Sequence, residues 1–139
     1  MNPGVLWRLK DMIPADVRTL LEAKNIAHVA TVLPDGAPHS VPVWVDTDGD
    51  HVVFLTGPGS RKARNLDRDG RVALSLTASD NPFHMAYLRG HVAERVEGDE
   101  AWTIVDRIST KYVGGPYPRG EERIVYRVAV ERAAGQSFG

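Results

Sequence analysis

Residues 27–56 read AHVATVLPDGAPHSVPVWVDTDGDHVVFLT, and this stretch decides the fold. Its β-prone segments are separated by two turn sequences, residues 33–36 (LPDG) and residues 46–50 (DTDGD). Proline and aspartate favour the first positions of such turns, and glycine adopts the positive φ that closes them. Between the turns, valines alternate with other residues at a period of two, which is typical of a strand with two different faces. Two successive hairpins predict an antiparallel meander.

The sequence on either side of this stretch predicts further strands and short helices. Ser60 is a good N-cap for a helix of about two turns that ends near Gly70, and Gly98 begins an amphipathic helix with one broad apolar side. A third helix is expected over residues 14–24. Few, short helices among six strands indicate a closed or nearly closed antiparallel barrel. The predicted strands cover residues 27–33, 40–45, 51–56, 71–77, 84–96 (with a bend at Gly90) and 124–131.

Length and composition limit the class of protein. The 139 residues are enough for one domain, which we divide into an N-terminal arm (1–13), the barrel (14–132) and a C-terminal tail (133–139). The formal net charge is −1, which gives no general attraction to nucleic acid or to an anionic membrane. Cysteine is absent, and no apolar run approaches the length of a membrane span. We therefore expect a small, soluble, cytoplasmic protein that binds neither nucleic acid nor membrane.

The strongest chemical signal is TGPGSRKARN, residues 56–65. A glycine-rich turn leads into a helix whose first N–H groups are free, and Arg61, Lys62 and Arg64 add three cations within one turn. This combination is typical of a phosphate site. The alternative is a basic helix that is simply solvated.

Other catalytic arrangements are missing from the sequence. The five histidines show no metal-ligand spacing, and no serine stands in a nucleophile motif. An enzyme with this sequence would use a cofactor for its chemistry, while the protein binds and orients it. Trp44 lies on the strand face opposite the valines, so we expect it to face a planar ligand or an oligomer interface.

The order of three segments resembles the pyridoxamine 5′-phosphate oxidase-like flavin and deazaflavin oxidoreductases. These segments are ATV…DGAPHSVPVW (30–44), TGPGSRKARNL (56–66) and YLRGHV (87–92), and the resemblance covers roughly residues 15–132. It implies a split β-barrel of FMN-binding type and a homodimer with cofactor sites between the subunits. It also implies that the phosphate is held by Ser60, Arg61 and Lys62. The other cofactor-binding residues implied are Ser40, Val41, Pro42, Val43, Trp44, Leu55 and Thr56 along the ring, with Asn65 and Arg64.

Within that family the resemblance favours coenzyme F420 over FMN. The oxidases carry an Arg-Val-Leu-Leu-Lys type strand at the ring, whereas residues 40–44 read SVPVW and lack both cations. The implied activity is hydride transfer from reduced deazaflavin to a conjugated small molecule. No catalytic residue is identified, and the proton comes either from solvent or from a tyrosine such as Tyr117. An FMN-binding oxidoreductase is the first alternative. A non-catalytic flavin or haem carrier is the second, and there His39 is the plausible iron ligand.

Overall fold

The structure, a computed structural model, describes residues 13–137, in which seven strands form one curled antiparallel sheet with three helices. The predicted N-terminal arm lies almost entirely outside the described residues. Among the described residues, no helix is long and apolar enough to cross a membrane. The elements in chain order are α1 (Ala15–Glu22), β1 (Ala27–Val32), β2 (Pro38–Val43), β3 (Val45–Asp48), β4 (His51–Thr56), α2 (Arg61–Arg68), β5 (Arg71–Ala78), β6 (Asn81–Val96), α3 (Gly98–Val113) and β7 (Ile124–Ser137).

The strand order is β2-β1-β5-β6-β7-β4-β3, so two strands that are consecutive in sequence form opposite edges of the sheet. They are joined through Trp44 alone. The predicted single strand over residues 40–45 is therefore two strands, and the sheet has seven strands rather than six. Helix α3 explains the break, because it satisfies the backbone of Val45. The Val45 N–H donates to the Tyr112 hydroxyl at 3.1 Å, and Lys111 Nζ donates to the Val45 carbonyl at 2.5 Å.

The first predicted hairpin is present, with β1 and β2 paired from Ala27 opposite Val43 to Val32 opposite Pro38. Strand β2 contains two prolines, which have no N–H to donate and are therefore found on edge strands. The second hairpin pairs β3 with β4. The two hairpins thus belong to opposite ends of one curled sheet instead of a continuous meander.

The longest pairing in the sheet joins β6 to β7. Gly90 lies at the predicted bend, where the register shifts, and a Cβ there would lie 1.9 Å from the Ala129 carbonyl oxygen. Strand β7 continues past residue 131, because the early part of β6 offers it a partner as far as His84 opposite Ser137. Residues 133–137, predicted as part of a tail, therefore belong to the sheet.

Two hydrophobic clusters bury both faces of β4 and β7. The larger fills the curl of the sheet beneath α1 and includes Phe54 and Tyr126. The smaller lies on the other side, where Val53 and Val125 pack against α3. The apolar side predicted for α3 is buried as expected, with Ile104, Val105, Ile108, Ala101, Ser109 and Tyr112 all inside. Helix α3 is thereby fixed beside the crossing at Trp44.

Candidate functional site

A cavity of about 440 Å³ lies where the chain crosses from β2 to β3. The crossing itself supplies Pro42, Val43 and Trp44, while β4 supplies Leu55 and α2 supplies Lys62. These five residues were all predicted as cofactor contacts from the sequence. The structure brings them together from three separate elements, and the wall is completed by Ile26 and Tyr117.

One wall of the cavity is aromatic and held in place. The Trp44 indole stacks on Tyr112 with 5.1 Å between ring centroids and 4° between planes. Tyr112 is buried, and its hydroxyl is hydrogen-bonded to the backbone of Val45. Tyr117 meets Trp44 edge to face at 6.2 Å. The indole therefore offers the cavity a flat apolar surface of fixed orientation.

Lys62 gives the cavity a cationic group. Burial lowers the pKa of Lys62 below its usual range, and the neighbouring positive charge of Arg123 lowers it further. Arg123 itself is largely covered, and its Nε donates to the Tyr117 hydroxyl at 3.2 Å. Arg123 is already paired with the exposed Glu121 carboxylate at 3.3 Å, whereas Lys62 has no carboxylate partner among residues 13–137, so an anion in the cavity would stabilise the charged form of Lys62.

Two of the three hydroxyl residues predicted for the site, Thr56 at the end of β4 and Ser60 before α2, meet at the turn that leads into α2 and do not line the cavity. Ser60 is the N-cap, and its Oγ accepts from the Ala63 N–H at 3.1 Å. It also shares a hydrogen bond of 2.8 Å with the Thr56 hydroxyl. Thr56 is buried, so these groups order the turn that precedes Lys62. The predicted helix start is confirmed.

Five other predicted cofactor contacts do not line the cavity. Val41 packs against the larger hydrophobic cluster, and Ser40 is exposed on the other face of β2. Asn65 is fully buried and donates to the Thr31 hydroxyl at 3.0 Å, so it links α2 to β1 inside the protein. Arg61 donates to Asn65 at 3.1 Å, and Arg64 is exposed. A motif match fixes positions along the chain, whereas the helix and strand periods decide which of them face the cavity.

The sequence analysis missed Ile26, which lines the cavity, and Arg123, which lines the adjoining cavity and lies close enough to Lys62 to lower its pKa. Arg123 precedes β7 and is more than sixty positions from Lys62, so no local pattern joins them. Ile26 precedes β1 and is 46% exposed, which is unusual for a large aliphatic side chain and marks it once a structure is known. His39, the plausible haem ligand, does not line this cavity.

A second cavity of about 500 Å³ lies beside the first. Trp44 and Tyr117 line both cavities, and so form the wall between them. The outer part of the second cavity is built from residues 118–121, which follow α3. The aromatic side chains of Trp44 and Tyr117 therefore separate the two cavities, and Lys62 lines the first of them.

The fold is shared with several solved structures. An F420 reductase is 28% identical, covers 88% of this chain and 98% of its own, and superposes with a TM-score of 0.77. A conserved hypothetical protein from Mycobacterium tuberculosis is 25% identical over 91% of this chain and 85% of its own, with a TM-score of 0.75. HupZ of Group A Streptococcus is 18% identical over 92% of this chain and 100% of its own, and its TM-score of 0.66 shows a common fold.

No curated protein matches the sequence significantly. The family model described as pyridoxamine 5′-phosphate oxidase matches residues 13–137, which is every residue that the structure describes. The resemblance predicted from three short segments is confirmed, together with the split β-barrel fold. The chain belongs to the pyridoxamine 5′-phosphate oxidase-like family, whose members include flavin- and deazaflavin-binding oxidoreductases.

Proposed function

We propose that this protein is a coenzyme F420-dependent oxidoreductase that reduces a conjugated small molecule. One observation supports the proposal above the others: the flat apolar wall at Trp44 shares its cavity with the partly buried cation of Lys62, and Arg123 lines the adjoining cavity close by. A planar ring that is attached to a phosphate matches both features.

The residues present fit such a group. The apolar side chains Pro42, Val43 and Leu55 would cover a ring, and Trp44 would fix its plane. Lys62 would hold the phosphate, helped by the free N–H groups at the start of α2. When bound, a reduced deazaflavin supplies a hydride to an electron-poor double bond. The chain's part is to bind and orient both partners and to limit the access of water.

Two features favour coenzyme F420 over FMN. Residues 40–44 carry none of the cations that the oxidase pattern places along the ring. Arg64 is exposed on α2, outside the cavity and on a different side of the helix from Lys62, so it is available to the acidic oligoglutamate tail of F420 where that tail extends beyond the phosphate. FMN ends at its phosphate and has no such tail. The 28% identity with an F420 reductase also supports this choice.

The chain offers one group at the cavity that could supply a proton to the product. The Tyr117 hydroxyl accepts from Arg123 Nε at 3.2 Å, which leaves its own proton free to be donated into the cavity. Among residues 13–137, no carboxylate or histidine lines this cavity.

The proposal includes a homodimer. The cavity is open on the side of Ile26 and Pro42, which are both exposed. A second copy covering that side would exclude water from the ring. Analytical ultracentrifugation of the purified protein tests this part, because a monomer at micromolar concentration would contradict it.

The function is tested by titrating the ligand-free protein with coenzyme F420 and, separately, with FMN while following fluorescence. Saturation by F420 at micromolar concentration, with FMN much weaker, supports the proposal. The opposite preference favours an FMN-binding oxidoreductase at the same cavity. Binding of neither overturns the proposed function. An absorbance spectrum with haem added tests the carrier alternative, for which His39 has a buried Nδ1 with no hydrogen-bond partner among the described residues.

A further inference from the structure

The segment that follows α3 is folded back onto the same helix. Gly114 ends the helix with φ of +82°, a left-handed conformation that favours glycine. The Ser109 hydroxyl then donates to the Gly115 carbonyl at 2.7 Å, which fixes the first residues after the helix. Residues 114–120, which we name the return segment, bring Tyr117 to the wall between the two cavities.

Asp106 connects the helix to the return segment at two points. Its Oδ1 accepts from the Tyr117 backbone N–H at 3.1 Å. The same carboxylate receives both terminal nitrogens of Arg119, at 2.9 and 2.8 Å. Arg119 is also stacked over the Trp102 ring, with its Cζ 3.9 Å from the centroid, and one of its nitrogens donates to the Tyr117 carbonyl. A bidentate pair of this kind fixes direction as well as distance.

These contacts determine where Tyr117 lies. Its ring is in edge contact with Trp44 on one side and in tilted contact with Trp102, at 6.4 Å, on the other. The side chain of Asp106 does not line either cavity. Its influence on the site would therefore act through Tyr117.

We infer that Asp106 is a positioning residue, whose carboxylate holds Tyr117 as the wall of the ring-binding cavity and thereby sets the affinity for a planar heteroaromatic ring. This inference rests on the proposed function, because it assumes that a ring occupies the cavity. Without the carboxylate, the return segment spends part of its time detached, and apparent affinity falls in proportion to the lost population.

The test compares Asp106→Asn with the wild type for four probes: coenzyme F420, riboflavin, FMN and inorganic phosphate. Asparagine keeps an oxygen for the Tyr117 N–H but removes the charge and the second acceptor for Arg119. We expect every ring-bearing probe that the wild type binds to bind about fivefold more weakly, by the same factor, and phosphate to bind unchanged. Asp99→Asn makes the same chemical change in the first turn of the same helix and serves as the matched control.

A second measurement needs no cofactor. Trypsin should cut after Arg119 faster in Asp106→Asn than in the wild type, because the guanidinium is no longer held against the helix. Arg119→Gln should weaken ring binding as Asp106→Asn does, and the double variant should be no worse than either single one.

The outcomes separate the two proposals. If the wild type binds neither flavins nor F420, the proposed function is wrong and this inference falls with it. If the wild type binds a ring but Asp106→Asn binds it equally well, the inference alone is overturned. A loss of phosphate affinity as large as the loss of riboflavin affinity would also overturn it, since that would indicate general damage to the fold.

Discussion

Replacing Lys62 by alanine is the most direct test of the cationic group in the cavity. The side chain is partly buried in α2, and an anion bound there would receive a charge-assisted hydrogen bond from it. Losing such a bond costs about 1.5–3 kcal/mol, which corresponds to an increase of about 10- to 150-fold in Kd. Arg123 stays in place in the variant, so we expect a weakened site and not an abolished one.

The assay compares a phosphorylated ligand with one that lacks the phosphate. Lys62→Ala should weaken binding of FMN and F420, whereas riboflavin should bind as it does to the wild type. Lys24→Ala is the matched control, because Lys24 is exposed and does not line the cavity. Equal affinity of Lys62→Ala and wild type for FMN would refute the assignment of Lys62 to the phosphate.

The Lys62 charge, which should favour ligand binding, should destabilise the ligand-free folded protein. Burial and Arg123 lower the pKa of Lys62 from its usual 10.5, so the charged form is less favourable in the folded protein than in the unfolded chain. The resulting loss of stability is fully present below the folded pKa and disappears as the pH rises to 10.5. Lys62→Met should therefore raise the melting temperature of the ligand-free protein at pH 7. An unchanged or lower melting temperature would contradict this argument.

Three further predictions concern the fold and the aromatic wall. Gly90→Ala should reduce the free energy of unfolding by about 3 kcal/mol or more in urea titrations, because its Cβ would clash with the β7 backbone. Gly70→Ala is the control: its Cβ would make only ordinary contacts at 3.6 Å, so the free energy of unfolding should change little. Tyr126→Phe should cost about 1 kcal/mol at pH 7, because the hydroxyl donates to Asp67 at 2.9 Å. Burial and Asp67 raise the pKa of Tyr126 well above 10, so the stability of the wild type should fall as the pH rises past 10. The same fall in Tyr126→Phe would show that Tyr126 is not the group responsible. Trp44→Ala should weaken ring binding or dimerisation while circular dichroism stays unchanged, and wild-type behaviour in both assays would show that the indole has no role in the site.

The features that the sequence predicted correctly are those that depend on near neighbours. The turn at residues 33–36, the N-cap at Ser60 and the bend at Gly90 each follow from a few adjacent residues with special backbone preferences. The buried side of α3 follows from its period. Each of these patterns lies within one turn, helix or strand, so it can be predicted without knowing how the rest of the chain folds.

The features that it missed depend on distant partners. The break at Trp44 arises because Tyr112 and Lys111, more than sixty residues away, satisfy the backbone of Val45. Arg123, which lines the adjoining cavity, approaches Lys62 because β7 pairs with β4. Neither contact leaves a periodic signal in the sequence.

The crossing at Trp44 also affects how the barrel responds to a ligand in the cavity. Strands β2 and β3 are the two free edges of the sheet, and no ladder joins one to the other within residues 13–137. The chain connects the two edge strands at Trp44, and elsewhere in the described part of the chain their edges are not hydrogen-bonded to each other. The cavity lies at this connection. Widening the gap between the edges of β2 and β3 to admit a ring breaks no interstrand hydrogen bond. The cavity can therefore be filled or emptied while the sheet stays intact. A bound ligand would contact β2, β4 and α2 at the crossing and so favour the folded state, and the melting temperature should rise with the logarithm of its concentration above Kd.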